Sequence, residues 1–246
     1  MIAAELIKLR TLRSTPLTLG LALLVSGGLS ALVGLSFRNG TVRGEFDPVF
    51  AAFYGLTVGQ LPLVVFAVLA VGSEYRSGTI RASLAALPRR GRFFGAKVGA
   101  TLLVLVVAAL ATVATSAVTA QLTLGRRRAE LDVLLPAAAG AWLSLTLIGL
   151  FALGIATLVR SSTVALGVLL PLMLLGSQGL GNVPGVKVVT QFLPDQLGWV
   201  VMHLAGPQDD PRWARDYGPW TGLALLAVWA AAALIAGYVN LQKRDA

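Results

Sequence analysis

The chain contains no cysteine and only one histidine among its 246 residues. The lack of cysteine excludes disulfides, thiol chemistry and metal sites built from thiolates. A single histidine, His203, excludes the paired-histidine motif of zinc proteases, and we interpret it as a structural residue. The phosphate-binding motif that ends in Gly-Lys-Ser/Thr is also absent. We therefore expect this chain to hydrolyse no ATP by that chemistry, and to bind no cofactor or metal of its own.

Charge is scarce as well, since 13% of the residues are charged and 56% are hydrophobic. Six windows contain no Asp, Glu, Lys or Arg, and each exceeds the roughly 20 residues that cross a hydrocarbon core as a helix. These windows are residues 14–37, 48–73, 98–125, 133–159, 161–186 and 217–242. They contain no carboxylate pair, which argues against a proton-coupled carrier or an intramembrane hydrolase. The sequence predicts one all-α membrane domain, residues 1–246, with six transmembrane helices.

The distribution of the charges predicts the orientation of these spans. With both termini in the cytoplasm, that side carries twelve basic and three acidic residues, whereas the outer side carries eight of each. The formal net charge of +9 is then entirely cytoplasmic, as the positive-inside rule expects. Membrane lipids account for this basic balance, so no nucleic-acid partner is expected. The arginine-, alanine- and leucine-rich composition favours the inner membrane of a bacterial cell.

One hydrophilic stretch separates the second and third predicted spans. Residues 72–97 carry seven charges, six of them basic, so we expect the loop 74–97 to lie in the cytoplasm. The middle of the loop has the pattern of a short helix that Ser77 or Thr79 can cap. The apolar face of this helix consists of Ile80, Leu84 and Leu87. Pro88 ends it, because the residue before a proline is disfavoured in the helical region.

The same loop carries a composite motif. Its residues are Glu74, Tyr75, Arg76, Gly78, Thr79, Ile80 and Arg81, followed by Leu87, Pro88, Arg90 and Lys97. This motif resembles the cytoplasmic loop of type-2 ATP-binding-cassette (ABC) exporter permeases. Charged flanks at the two ends of the chain extend the resemblance, with Glu5, Lys8 and Arg10 before the first span and residues 243–245 after the last.

The resemblance implies a function and a set of partners. In this family the loop forms a coupling helix that docks on a separate ATPase subunit, which binds ATP and Mg. Six spans form half of a transport pathway, which implies a second permease chain, identical or related. The second and fifth spans usually line the cavity, which makes candidates of Phe53, Tyr54, Gln60, Ser177 and Gln178. An uncharged cavity suits an apolar or amphipathic cargo such as a drug, a peptide or a lipid, which is moved outward.

Two charged features near the membrane have alternative interpretations. Glu74 is expected to pair with Arg76, Arg81 or a basic residue of the partner and so to fix the angle of the loop. The alternative is an ordinary acidic residue at a helix end. Residues 1–13 have the pattern of a helix lying at the membrane interface, or simply of a basic flank that orients the first span.

Three further patterns are less specific. Pro62 kinks the second span, either beside a cavity or as a benign feature of a membrane helix. Glycine pairs such as Gly55-xxx-Gly59 allow close helix contact but also arise by chance. Before the last span, a short helix is predicted after Pro194-Asp195. Its apolar face is Leu197, Val200, Val201 and Leu204, and it lies on the outer surface or dips back into the membrane.

Two other functions remain open from the sequence. One is an ATP-driven device of the same fold that serves cofactor maturation or self-immunity without true export. The other is a channel or membrane scaffold that needs no ATPase. The motif-bearing loop 74–97 argues against the second alternative, because a scaffold has no need of it.

Overall fold

The computed structural model describes residues 1–40, 47–79, 90–177, 182–183 and 185–243, and these ranges contain helices but no strand. Nine α-helices lie within them. In chain order they are α1 (Ile2–Thr11), α2 (Ser14–Arg38), α3 (Pro48–Phe53), α4 (Leu56–Ser77), α5 (Arg90–Leu124), α6 (Leu131–Val159), α7 (Ser162–Ser177), α8 (Lys187–Thr190) and α9 (Pro219–Lys243). The all-α prediction is therefore confirmed for the described residues.

Five helical stretches are long and apolar enough to cross a membrane. They are α2, the pair α3 and α4, α5, α6 and α9. The helix α7 has 16 residues, which give about 24 Å at 1.5 Å per residue, less than the roughly 30 Å of a hydrocarbon core. The predicted window 161–186 thus holds a short described helix, and residues 178–181 and 184 lie outside the described residues.

Local chemistry sets several of the helix ends. Asp47 caps α3, because its side chain accepts a hydrogen bond of 2.8 Å from the backbone N–H of Val49. Gly78 ends α4 with a φ of 72°, and Arg160 ends α6 with a φ of 59°. The helix α4 continues to Ser77 and α5 begins at Arg90, so both extend beyond the predicted spans into the predicted loop 74–97. The sequence prediction ended the second span too early and began the third too late, because polar residues also continue a helix.

The helices α4 and α6 occupy the centre of the bundle. In their most apolar stretches 72% and 61% of the residues are buried, against 33% in α2, α5 and α9. The helix α4 packs against α2, α6 and α7, while α6 also packs against α5 and α9. The short helix α1 contacts α2 and α5 at one end of the bundle. Any displacement of α4 must therefore disturb contacts with most of the other long helices.

Small residues allow α2 to approach α4 closely. A Cβ atom at Gly55 would collide with the backbone of Ser26, and one at Gly59 would collide with the Ser26 hydroxyl. Beside this contact, the hydroxyls of Ser30 and Ser116 lie 2.7 Å apart, and each donates to the carbonyl oxygen of Ala52. The close-contact interpretation of the glycine pair is thus favoured over chance, and these hydroxyls join α2, α3 and α5.

The segment before the last span differs from its predicted form. All four residues of its predicted face, Leu197, Val200, Val201 and Leu204, are buried. The backbone over residues 191–203 forms successive turns instead of an α-helix. Trp199 donates to a carbonyl three residues back, whereas Leu204 donates to one five residues back. Such mixed hydrogen bonding does not build the regular ladder of an α-helix.

This segment enters the helix bundle. A Cβ atom at Gly140 of α6 would collide with Val201, and one at Gly198 would collide with the hydroxyl of Ser144. Gly140 lies nine residues after Leu131, the first residue of α6, or about 13 Å along the helix axis. The segment therefore dips into the bundle, as the second of the two sequence-based alternatives describes.

Replacing Gly59 with leucine should destabilise the protein by about 1–3 kcal/mol, because the new side chain must displace Ser26. A matched control is Gly28→Leu, since a Cβ atom at this other helical glycine meets no heavy atom within 4 Å. Thermal unfolding of the two purified variants in mild detergent measures the difference. Equal midpoints would show that α2 and α4 are not in close contact.

Candidate functional site

Four charged side chains meet at one end of the bundle, and we call them the ionic cluster: Glu5, Lys8, Glu74 and Lys97. Glu5 and Lys8 belong to α1, Glu74 to the last turns of α4, and Lys97 to the first turns of α5. The Nζ atom of Lys97 lies 2.6 Å from Glu5 Oε2 and 2.9 Å from Glu74 Oε1. The Nζ atom of Lys8 lies 2.8 Å from Glu5 Oε1 and 3.1 Å from the same oxygen of Glu74. The cluster therefore joins three helices with four ion pairs.

Burial makes this cluster costly to disrupt. Lys97 is 3% exposed, Glu5 is 7% exposed and Glu74 is 8% exposed, whereas the side chain of Lys8 is 45% exposed. Two cations and two anions give a net charge of zero. Removing one partner of a buried pair leaves an uncompensated charge, which typically costs about 3–5 kcal/mol. Lys97 is held most tightly, since it also donates to the carbonyl oxygen of Ala70 at 3.4 Å.

The pKa values of the two α1 residues follow from these contacts. Burial by itself raises the pKa of Glu5, but hydrogen bonds from Lys8 and Lys97 outweigh burial and leave the pKa of Glu5 below its usual value of 4.5. Burial lowers the pKa of Lys8, but hydrogen bonds to Glu5 and Glu74 outweigh it and raise that pKa above 10.5. Both groups are therefore charged at neutral pH. The contribution of Glu5 to stability is fully present above pH 4.5 and is lost as the pH falls further.

Aromatic residues cover the cluster on one side. The Nζ atom of Lys97 lies 5.7 Å from the centroid of the Phe93 ring, within range of a cation–π contact. Phe93 and Leu241 of α9 are both buried, and Tyr75 and Phe94 pack against them. Tyr75, a residue of the predicted motif, thus contributes to an apolar layer beside the charges.

The motif residues divide into two groups. Glu74 and Tyr75 lie in α4, Gly78 ends that helix and Thr79 is exposed. The structure does not describe the side chain of Arg76, and the remaining motif and coupling-face residues up to Pro88 lie outside the described residues: Ile80, Arg81, Leu84, Leu87 and Pro88. The predicted coupling helix is therefore untested. The side chains of Arg76 and Arg81, the predicted partners of Glu74, are likewise not described. Among the described side chains, Glu74 pairs with Lys8 and Lys97.

Arg90, which the sequence assigned to coupling, contacts the last span. Its guanidinium group donates to the carbonyl oxygens of Leu241 and Gln242 at 2.9 and 3.0 Å. Arg160, in the turn between α6 and α7, donates to the carbonyl oxygen of Asn240 at 2.6 Å. These contacts satisfy carbonyls at the carboxyl end of α9, where the helix dipole also favours a cation. The ionic cluster and the end of α9 are thus both connected to α5.

The predicted cavity residues are not brought together around a described cavity. Phe53 is fully buried, and Tyr54 is 37% exposed. Gln60 is buried and donates to the carbonyl oxygen of Thr57 at 3.0 Å. The structure does not describe the side chain of Ser177 or any part of Gln178.

A different set of residues from the same two predicted spans does line a cavity. It has a volume of about 640 Å³ and lies between α2, α4 and α7. Pro62 of α4 and Pro171 of α7 both line it, with Leu17, Leu61 and Leu174 among the other residues. Pro62 thus lies beside a cavity, which agrees with the first of its two interpretations.

A larger cavity of about 1230 Å³ lies at the opposite end of the bundle from α1. Asp47 and His203 line it, with His203 Nδ1 2.7 Å from Asp47 Oδ2. Burial raises the pKa of Asp47, but the hydrogen bond and charge of His203 outweigh burial and lower this pKa. His203 thus connects the re-entering segment to the cap of α3, which agrees with a structural role.

A buried polar network supports the re-entering segment next to this cavity. Gln196 donates to Asp195 Oδ2 at 2.7 Å and to the carbonyl oxygen of Gly176 at 3.0 Å. Arg215 donates to Gln196 Oε1 at 3.3 Å, and Tyr217 donates to the carbonyl oxygen of Gln196 at 3.2 Å. Burial raises the pKa of Asp195 to about 6 and that of Tyr217 to about 12. The sequence analysis missed this network, because Gln196 lies about 20 residues from both Gly176 and Arg215 along the chain.

No protein-family model matches the chain, and no curated protein sequence matches it either.

Replacing Lys97 with methionine should destabilise the protein by about 3–5 kcal/mol. The two buried carboxylates, Glu5 and Glu74, then have only one cation, Lys8, to compensate their charges. The matched control is Lys8→Met, which should cost at most about 1 kcal/mol because that side chain is half exposed. Denaturant unfolding in detergent measures both losses. A double-mutant cycle with Glu74→Gln should show coupling to Lys97, and additive effects would contradict the ion pair.

The buried carboxyl group of Asp195 should make stability depend on pH. Its pKa of about 6 in the folded state lies above the usual 3.8, so the folded protein binds more protons than the unfolded chain between these values. Stability then falls as the pH rises from about 4 to 6, by about 3 kcal/mol at 1.36 kcal/mol per pH unit. Asp195→Asn should remove this dependence, whereas Asp209→Asn at an exposed position should retain it. Thermal unfolding at pH 4, 5, 6 and 7 provides the comparison.

Proposed function

We propose that the chain is the transmembrane permease subunit of an ATP-driven ABC exporter, which moves an apolar or amphipathic cargo outward. The ionic cluster is the observation that carries this proposal. It holds the end of α4 and the start of α5 against α1. These two helices flank residues 78–89, the middle of the motif-bearing loop. A partner that pushes on this loop would therefore act on a joint of three helices and not on a loose connection.

The packing of α4 supports a route for such a push. The cluster attaches to Glu74 at the end of α4, and α4 lies at the centre of the bundle against α2, α6 and α7. Three of these helices, α2, α4 and α7, line the apolar cavity that contains Pro62 and Pro171. A displacement that begins at the cluster thus reaches the walls of this cavity. In our proposal ATP binding and hydrolysis take place, with Mg, on the separate ATPase subunit.

The remaining parts of the proposal concern topology and assembly. We propose six spans in a bacterial inner membrane, with both termini in the cytoplasm. Besides the five long helical stretches, the additional span consists of α7 and the residues that follow it. The end that carries α1 and the loop is the basic end of the chain, as the positive-inside rule expects of a cytoplasmic face. A second permease chain completes the pathway, since six spans form half of it. The uncharged residues around the cavity of about 640 Å³ suit a drug, a peptide or a lipid as cargo.

Purification from the native host in mild detergent tests the class of protein. We expect a co-purifying chain, in roughly equal amount, whose sequence contains the phosphate-binding motif ending in Gly-Lys-Ser/Thr. The purified complex should hydrolyse ATP. A particle that moves cargo without such a chain would instead favour the channel or scaffold, and ATP hydrolysis without cargo movement would favour the maturation or immunity device.

Leu84→Asp tests the docking surface, because it places a charge on the predicted apolar face of residues 77–87. Losing a buried interface anchor costs about 2 kcal/mol, which corresponds to about thirtyfold weaker binding of the co-purified ATPase. The matched control is Ala82→Asp, which adds the same charge on the opposite side of the predicted helix. Surface plasmon resonance with the purified ATPase measures both affinities. Equal affinities for the two variants would show that this face is not the contact.

A further inference from the structure

An apolar groove runs along the surface of the bundle between α1, α2 and α5. It has a volume of about 470 Å³, and only leucine, valine and alanine side chains line it. Leu23 of α2 and Leu103, Val107 and Ala111 of α5 form its walls, and Leu6 of α1 contributes to the lining at the end near the ionic cluster. None of these residues belongs to the ionic cluster or to the cavity that contains the two prolines.

The dimensions of the groove restrict what can fill it. From Leu103 to Ala111 the helix α5 rises by about 12 Å, at 1.5 Å per residue, which approaches half of the roughly 30 Å hydrocarbon core. The groove therefore extends over roughly the depth of one lipid leaflet.

The helix α1 contributes to one end of the groove. Leu6 lies at its end near the ionic cluster, and the ion pairs of Glu5 and Lys8 hold α1 in place there. A transmembrane helix would have to continue through this end to reach water. An acyl chain that ends inside the hydrocarbon core does not have to reach water at this end.

Two arginines lie near the same end of the groove. Arg10 follows Leu6 by four residues and is therefore on the same side of α1, one turn further along. Arg13 lies in the short connection between α1 and α2. Both side chains belong to exposed residues, and neither forms an ion pair with another residue in the described part of the chain. Two positive charges thus follow Leu6 along the chain, at the end of the groove to which α1 contributes.

We propose that this groove binds one acyl chain of an anionic phospholipid, whose phosphate group is bound by Arg10 and Arg13. The apolar walls exclude a charged or strongly polar ligand, and the arginines favour an anionic over a zwitterionic head group. Bound there, the lipid contacts α1 and thereby stabilises the helix that supplies Glu5 and Lys8 to the ionic cluster. This inference does not depend on the proposed transport function, because it needs neither an ATPase nor a cargo.

Native mass spectrometry of the purified protein tests the proposal, with dioleoyl phosphatidylglycerol as the anionic probe and dioleoyl phosphatidylcholine as the zwitterionic one. The parent should retain one phosphatidylglycerol per chain at concentrations at which phosphatidylcholine is lost. Ala111→Trp fills the groove and should abolish retention. The double variant Arg10→Gln/Arg13→Gln should weaken phosphatidylglycerol binding about thirtyfold, since each basic residue near a charged lipid surface contributes about a factor of five.

Two matched controls separate the site from general effects. Ala231→Trp adds the same side chain at an exposed position of α9 outside the groove, and it should bind like the parent. Arg126→Gln/Arg128→Gln removes two exposed arginines from the opposite end of α5, and it should also bind like the parent. Equal binding by Ala111→Trp and Ala231→Trp would overturn the groove assignment. Equal retention of the two lipids by the parent would show that the occupant is not an anionic lipid. If Ala111→Trp converts a dimer into a monomer and loses no lipid, the occupant is a second copy of the chain.

Discussion

The buried ammonium group of Lys97 is the constraint on which one whole end of the molecule depends. An ammonium group that is 3% exposed is stable only with anionic partners. Its two carboxylates come from different elements, Glu5 from α1 and Glu74 from α4. The three helices must therefore meet at this point, and α1 is a structural part of the bundle. The interpretation of residues 1–13 as a mere basic flank does not explain why Glu5 is buried.

The same end of the bundle is also attached to the last span. Arg90 and Arg160 donate to the carbonyl oxygens that α9 leaves unpaired at its carboxyl end. Because Arg90 and Lys97 lie about two turns apart at the start of α5, this part of the helix connects α1, α4 and α9. In the proposed function, this multiply connected base beside residues 78–89 transmits the push of the partner subunit to the bundle.

The opposite end of the bundle is built on a different principle. Asp195, Gln196, Arg215 and Tyr217 form a buried hydrogen-bonded network there, and a cavity of about 1230 Å³ lies next to them. Between the two ends, glycine, serine and alanine allow the helices to approach closely. One end is thus held by the buried ionic cluster, whereas the other is held by amide, guanidinium, carboxyl and hydroxyl groups beside an open volume.

The sequence alone determined the all-α membrane class, because uncharged windows of more than twenty residues have few other stable structures. It also singled out Glu74 as a functional candidate, and it left Pro62 open between a kink beside a cavity and a benign kink. It did not predict that Glu74 pairs with Lys8 and Lys97, because α1 and α5 come together only when the bundle packs. For the same reason it missed the network of Gln196 and Arg215. Periodicity reports which side of an element is apolar, whereas the pairing of residues distant in the chain depends on how the helices pack, and only the tertiary structure decides that.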